Sequence, residues 1–388
     1  MMGPFQVTCV LAAAMFAAAF SISTAFAQQV RGGNQPLPDK PNLGGIGERI
    51  NSNTISIVSG NINATYLSIA YDMSAVLDDG DEFRVLPVIG KGGGQNIRDV
   101  RFLKGIDLGI TQASLLNTFR RSKEIGVIDD KITYVAKLFN EEMHVVVRAD
   151  SGITSLQQLG GKKVNFSDVG SGTQLSTRDI LNRLKIKAEE VNMGQADAFE
   201  KLRSGEIAAT VLIAGKPAGA MARLKSEQGF RFLRVPFAKE LQDDYLPAVL
   251  TSEDYPGMVA ASDSFDTIAV GAVLIAYNWP KGTERYRRIE KFVEQFFPKL
   301  AEFQKPPRHP KWREANLAAV LPGWTRFPAA EEWLKRNRQA EQAPTAALRD
   351  EFKAFLAVRG MVAAASVGEE RERLFQEFLI WNQSRGRR

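Results

Sequence analysis

A strand, a polar or glycine-rich turn and a helix recur in this order along the chain, which constrains the fold more than any other feature. Residues 54–59 and 83–89 each have the apolar, β-branched character of a short buried strand. The turns that follow, at 59–65 and 90–96, lead into apolar residues at helical spacing. Repetition of this unit predicts a parallel sheet with helices on both faces.

Further strands are expected at 106–110, 134–138 and 143–148, and we read the last two as separate strands. A second block of the same kind then begins, with strands at 163–166 and 208–214, and predicts a second lobe. A long apolar run at 267–276 predicts a strand that returns to the first sheet. The expected fold class is therefore α/β, with the second lobe inserted between two parts of the first.

The N-terminal segment has the pattern of an export signal. Residues 10–20 are almost wholly apolar, and Ala25-Phe26-Ala27 supplies an A-x-A cleavage pattern. We expect residues 1–27 to be a signal peptide and residues 28–53, rich in glycine, proline and asparagine, to be a flexible leader. The remaining chain is then expected to divide into lobe one (54–145 and 251–304), lobe two (146–250) and a mostly helical C-terminal extension (305–388).

Composition excludes several kinds of catalytic and metal site. The single cysteine, Cys9, lies in the expected signal peptide, which leaves no thiol for disulfides, nucleophilic catalysis or metal binding. His144 and His309 are the only histidines, too few for a histidine metal site and poor support for a catalytic triad. We expect no cofactor, no metal and no catalytic residues. The net charge of +6 is compatible with steering of anions or with an ordinary solvated surface.

Three turns lie where ligands bind in open α/β sheets, at the carboxyl ends of strands and the N-termini of helices. They are residues 59–65, 90–96 and 170–173, and unpaired N–H groups at such helix starts suit carboxylates or phosphates. Glu141 and Glu142 are adjacent and are expected at a solvated strand edge. His144 is expected to be packed or hydrogen-bonded rather than chemically active.

Five stretches in the same order resemble the TAXI family, the solute receptors of TRAP-type transporters. They are NIRDVRFLKGIDLGITQ at 96–112, VVVRADSGITSLQQLGGKKVN at 145–165, GSGTQ at 170–174, LRSGEIAATVLIAGKP at 202–217 and DTIAV at 266–270. The resemblance covers residues 54–275. It implies a type II periplasmic-binding-protein fold, in which two lobes close around a ligand. The sequence after residue 304 lies outside it and is interpreted either as a docking surface or as a helical cap on lobe one.

The resemblance also implies which positions bind the ligand. From lobe one these are Asn61, Asn63, Thr65, Tyr66, Gln95, Asn96, Thr111 and Gln112; from lobe two they are Gly170, Ser171, Gly172, Thr173 and Gly215. Family members often carry a hydroxyl residue three positions before Asn96, where this chain has Gly93.

The function that the resemblance implies is capture of a small organic anion or amino acid in the periplasm and its delivery to TRAP membrane subunits. A monomer without nucleic-acid partners is expected. Two alternatives stay open at this point: a periplasmic receptor that signals to a membrane sensor, and an enzyme on the same fold.

Overall fold

The structure, a computed structural model, describes residues 43–62 and 64–337. Its strands are β1 Thr54–Val58, β2 Arg84–Val88, β3 Leu108–Gln112, β4 Ile132–Arg148, β5 Lys163–Asn165, β6 Glu189–Val191, β7 Ala209–Ala214, β8 Phe230–Phe232, β9 Leu246–Thr251 and β10 Ser264–Tyr277. Its α-helices are α1 Leu43–Ser52, α2 Thr65–Leu77, α3 Gly93–Phe102, α4 Ala113–Ser122, α5 Gly172–Arg183, α6 Gln195–Ser204, α7 Gly219–Ala222, α8 Glu284–Phe296 and α9 Leu300–Phe303. Residues 328–337 are also helical.

The strands run in the order β2-β1-β3-β10-β4-β7-β5-β6, with β8 beside β4 and β9 beside β10. Strands β1, β2 and β3 are parallel, as are β5, β6 and β7, because a helix connects each to the next. The first trio forms lobe one and the second forms lobe two. The expected two-lobed α/β fold is confirmed.

Two long antiparallel strands, β4 and β10, connect the lobes. The first half of β4 packs in the lobe-one core through Val135 and Leu138, and its second half packs in the lobe-two core through Val145 and Val147. The prediction of two strands at 134–138 and 143–148 was wrong, because β4 continues through the polar residues between them. Those residues, 140–142, keep their ladder partners on β10.

Each lobe has its own hydrophobic core, which follows from the amphipathic helices that cover its sheet. Helix α8 buries Tyr286, Ile289, Phe292, Val293 and Phe296 on one face against the lobe-one sheet. Residues 251–263 were expected with lobe one, but Tyr255 and Met258 pack with lobe-two residues. The crossing back to lobe one therefore occurs within β10.

The described part of the C-terminal extension packs on lobe one. Trp312 and Phe327 are fully buried in the lobe-one core. The backbone of Tyr134 on β4 exchanges hydrogen bonds with residues 325 and 327 at 3.1 and 2.8 Å. Of the two interpretations left open, the structure supports a cap for residues 305–337. The helices expected near 345–358 and 369–381 lie outside the described residues.

The end of the expected leader contains a helix, α1, rather than flexible chain throughout. Its sequence, LGGIGERINS, combines apolar residues at helical spacing with internal glycines, which obscured the pattern. The expected signal peptide lies outside the described residues. Among the residues that the structure does describe, no helix has the length and apolar character needed to span a membrane.

Candidate functional site

A cavity of about 610 Å³ lies between the two lobes. Lobe one contributes the turn after β1, the start of α2, the turn before α3 and the end of β3. Lobe two contributes the start of α5, the start of α6 and the segment after β7. The predicted ligand-binding residues that line it are Asn61, Thr65, Tyr66, Gln112, Ser171, Gly172 and Thr173.

The start of α5 forms part of the lobe-two wall. The Ser171 hydroxyl caps the helix by accepting a hydrogen bond from the N–H of Gln174 at 3.1 Å. The Thr173 hydroxyl donates to the carbonyl of Ile213 and accepts from its N–H, at 3.3 and 3.0 Å. Both hydroxyls therefore hold α5 in place. The N–H groups of Gly172 and Thr173 have no acceptor within the described part of the chain, and they provide the anion-binding capacity of this turn.

Helix α2 contributes two side chains to the opposite wall. The Thr65 hydroxyl donates across the cleft to the carbonyl of Gly215 at 3.1 Å. The Tyr66 hydroxyl donates to Glu141 Oε2 at 2.5 Å, and its ring packs edge-to-face on Phe139. Tyr66 is therefore held from two sides, and burial raises its pKa well above the usual value for tyrosine.

Glu141 is a cavity residue that the sequence analysis missed. It was expected with Glu142 at a solvated edge, yet both side chains are only 3% exposed. Burial raises the pKa of Glu141 to about 8, against the opposing effect of hydrogen bonds from Tyr66 and Gln112. Strand alternation could have separated the two acids: Glu141 shares a face with Phe139 and Met143, whereas Glu142 shares the other face with His144.

Glu142 lies in a different environment from its neighbour. Its Oε1 accepts from Lys311 Nζ at 2.6 Å, and its Oε2 accepts from the N–H of Lys216 at 3.0 Å. Lys311 is 2% exposed and also pairs with Glu314 at 2.6 Å. Burial raises the pKa of Glu142, although Lys311 opposes that effect. This cluster joins the C-terminal segment, the crossing strand and lobe two, and it has a structural role.

The two lobes touch beside the cavity. Gln112 at the end of β3 accepts a hydrogen bond from Ser176 of α5 at 2.6 Å, and both residues are buried. Gly93 lies against Gly172 so closely that a Cβ on Gly93 would overlap the Gly172 backbone. The lobes are therefore in a closed arrangement on this side.

Five predicted residues do not line the cavity. Asn96 is fully buried and donates to the carbonyls of Val58, Ser59 and Ile110, so it fixes the ends of β1 and β3. Gln95 bonds Asp99 within α3, and Thr111 donates to the carbonyl of Gly93.

Gly170 and Gly215 are the other two. Gly170 has a φ of +83° and donates its N–H to Gln174 Oε1 at 2.7 Å, which shapes the turn before α5. Gly215 packs against Thr65, Lys311 and Phe139, leaving little room for a side chain. Asn63 lies outside the described residues.

The lining of the cavity includes one apolar wall, three cations and the carboxyl groups of Glu141, Asp168 and Glu200, of which Glu200 pairs with Arg203 at 2.6 Å. The apolar wall comes from lobe two and consists of Phe199, Leu212, Ala214, Ala218, Ala220 and Leu224. The cations are Lys91 on lobe one and Arg203 and Arg223 on lobe two.

The predicted role of His144 as a packed, hydrogen-bonded residue is confirmed: it is buried, contacts Tyr255 at 2.7 Å, and burial lowers its pKa to about 4. Within residues 43–62 and 64–337, no group of three His, Cys, Asp or Glu side chains is arranged to hold a metal ion.

A family model describing the NMT1-like family matches residues 57–320. The chain belongs to the NMT1-like family. The match spans both lobes and every cavity residue named above, and it includes Lys311 of the C-terminal segment.

Solved structures similar to this NMT1-like chain include proteins described as periplasmic. One, a periplasmic transporter, is 15% identical, covers 75% of this chain and 96% of its own, and has a TM-score of 0.45. The periplasmic binding protein BugD is 15% identical over 76% of this chain and 97% of its own, with a TM-score of 0.41. A substrate-binding protein of an ABC uptake transporter from Streptococcus pneumoniae, with bound histidine, is 15% identical over 66% and 91%, with a TM-score of 0.39.

Proposed function

We propose that this protein is a solute-binding receptor that captures a small molecule between its two lobes. The observation that carries the proposal is the cavity of about 610 Å³, which lies between the lobes and combines polar groups with an apolar wall. Ligand sites in proteins have this size and this mixture of apolar lining with a few oriented polar groups. The long strands β4 and β10 connect the lobes and form the hinge about which they would open.

The ligand is a small organic anion or an amino acid. Two features of the cavity favour a carboxylate: the unpaired N–H groups of Gly172 and Thr173 and the nearby cations Lys91 and Arg223. The third cation, Arg203, is already paired with Glu200 at 2.6 Å. We assign no catalytic role to any residue. The hydroxyls of Thr65, Ser171 and Thr173 are hydrogen-bonded to the backbone and hold the walls of the cavity in position.

The receptor acts in the periplasm, as a monomer, and delivers its ligand to the membrane subunits of a TRAP-type transporter. This part of the proposal is supported by the resemblance of five ordered stretches to the TAXI receptors and by the export pattern of residues 1–27.

A thermal-shift screen against amino acids and organic acids tests receptor function. A ligand at one hundred times its dissociation constant should add about 2.7 kcal/mol to the free energy of unfolding, which gives a clear rise in melting temperature. Small-angle scattering should then show a smaller radius of gyration for the liganded protein than for the ligand-free protein. The proposal would be contradicted if no compound stabilised the protein and no compound made it more compact.

A further inference from the structure

Glu141 is a buried acid that faces the cavity without a cation to neutralise it. It is 3% exposed, and its partners are the Tyr66 hydroxyl and the Gln112 side chain. Within the described residues, no lysine, arginine or histidine forms an ion pair with it. Burying a carboxylate without a counter-ion is costly, so an acid in this position requires either a proton or an external cation.

The neighbouring acid shows what the fold does when it neutralises a carboxylate internally. Glu142 is buried to the same extent, and its Oε1 forms an ion pair with Lys311 Nζ at 2.6 Å. Lys311 is thus committed to Glu142 and Glu314 on the other side of the strand. Glu141 is left as the buried acid of this pair that a ligand in the cavity can reach.

The apolar wall formed by lobe two predicts a second property of the ligand. Phe199, Leu212 and Leu224 line the same cavity as Glu141 and carry no hydrogen-bonding side-chain group. A cavity of about 610 Å³ is also larger than the smallest amino acids need. A ligand that fills it must place apolar surface against this wall to gain from desolvation.

We propose that the ligand presents a protonated nitrogen to Glu141 and an aromatic or branched aliphatic group to the apolar wall of lobe two. Glu141 is then the residue that selects amines over otherwise identical acids. The inference rests on the proposed receptor function and narrows its ligand class.

Proton release accompanies this mode of binding. With a pKa raised to about 8, the Glu141 carboxyl is mostly protonated at pH 7 before the ligand enters. An ammonium group in contact with it favours the carboxylate and displaces that proton. The other titratable groups that act on Glu141 are Tyr66 on α2, Glu142 on β4 and Lys311 of the C-terminal segment. Tyr66 and Glu142 have raised pKa values, and Lys311 remains paired on the other side of the strand.

Matched compound pairs test the inference on the full chain by calorimetry. The pairs are L-phenylalanine with phenylpyruvate and L-leucine with 4-methyl-2-oxopentanoate, in which a keto group replaces the amine; glycine tests the need for the apolar group. We expect each amino acid to bind at least about tenfold more tightly than its keto acid, and glycine to bind more weakly than either amino acid. Titration at pH 7 in buffers of different ionisation enthalpy should show net release of protons when an amino acid binds.

Glu141→Gln provides the second measurement, because it keeps the size of the side chain but cannot become a carboxylate when the ligand binds. It should weaken amino-acid binding by about 10- to 100-fold and abolish proton release. The matched control is Glu189→Gln at the exposed first residue of β6, which replaces a glutamate away from the cavity and should change neither quantity.

Equal binding of both members of a pair, without proton release, would overturn the inference and leave the receptor function standing. The inference would also be overturned, with the receptor function still standing, if none of the five compounds bound and the broader screen identified a ligand without a protonated nitrogen. Failure of every compound in both experiments would overturn the inference and the receptor function together.

Discussion

Gly93 and Gly172, which start α3 in lobe one and α5 in lobe two, are packed backbone against backbone. Gly93 has a φ of +47°, and any Cβ there would overlap the Gly172 Cα and N. Residue 93 is therefore one of the places where the two lobes meet. A side chain at residue 93 would be incompatible with this closed arrangement.

Gly93→Ala should shift the protein toward an open arrangement of the lobes. The control is Gly80→Ala, since Gly80 has a similar φ of +51° but no atom within 4 Å of the place that a Cβ would occupy. Both variants introduce backbone strain of roughly 1–2 kcal/mol, but only the first creates a clash between the lobes. With a ligand from the thermal-shift screen present at saturation, small-angle scattering should show a larger radius of gyration for Gly93→Ala than for Gly80→Ala. The same radius in both variants would contradict the expectation.

Lys311→Met should destabilise the protein strongly. Removal of the ammonium leaves Glu142 buried without its cation, which costs about 3–5 kcal/mol in the free energy of unfolding. Urea denaturation measures the loss, and adding Glu142→Gln to Lys311→Met should restore part of it. Lys281→Met, at an exposed ion pair with Glu332, is the control and should leave the midpoint nearly unchanged. Equal effects of the two single substitutions would show that the buried cluster has no special role.

Glu141 should make the protein less stable as the pH rises from about 4.5 to 8. In this range the folded state keeps the Glu141 proton, because its pKa is about 8, whereas the unfolded state loses it near the ordinary glutamate value of 4.5. The folded state thus binds more protons, and the free energy of unfolding falls with pH by an amount on the order of 4–5 kcal/mol across the full range.

Comparison of wild type with Glu141→Gln isolates this effect. The buried His144 has a pKa lowered to about 4, so it destabilises the fold as the pH falls below 6.5, but equally in both proteins. Urea denaturation at pH 5, 6.5 and 8 should show the stability of wild type falling relative to the variant. Parallel profiles would mean that Glu141 titrates normally.

Ser171→Ala and Thr173→Ala should reduce stability through the helix start and its junction with β7. Ser171 caps α5, and loss of such a cap costs about 1 kcal/mol. Thr173 makes two hydrogen bonds to the backbone of Ile213, and its loss costs about 1–3 kcal/mol. Ser122→Ala, at the exposed end of α4, is the matched control. Full stability in both cavity variants would show that these hydroxyls are dispensable to the fold.

Local sequence patterns are sufficient to establish the strand–turn–helix units, the α/β class and most of the turns that meet at the cavity. These features depend on periodicity and on glycine and hydroxyl residues at helix starts, which need no distant partner to be recognised. The same local pattern failed at residues 140–142. The polar residues inside β4 there indicate a break between two strands and a solvated edge. The strand nevertheless continues through them, and Glu141 and Glu142 are buried.

Packing between distant segments determines which polar residues are buried and which face the cavity. Glu142 is buried because Lys311, 169 positions away along the chain, reaches it in the fold. Glu141 faces the cavity because the strand turns it to the side where Tyr66 and Gln112 converge. The burial of a charged group depends on the partners that compensate its desolvation, and the tertiary structure brings those partners together.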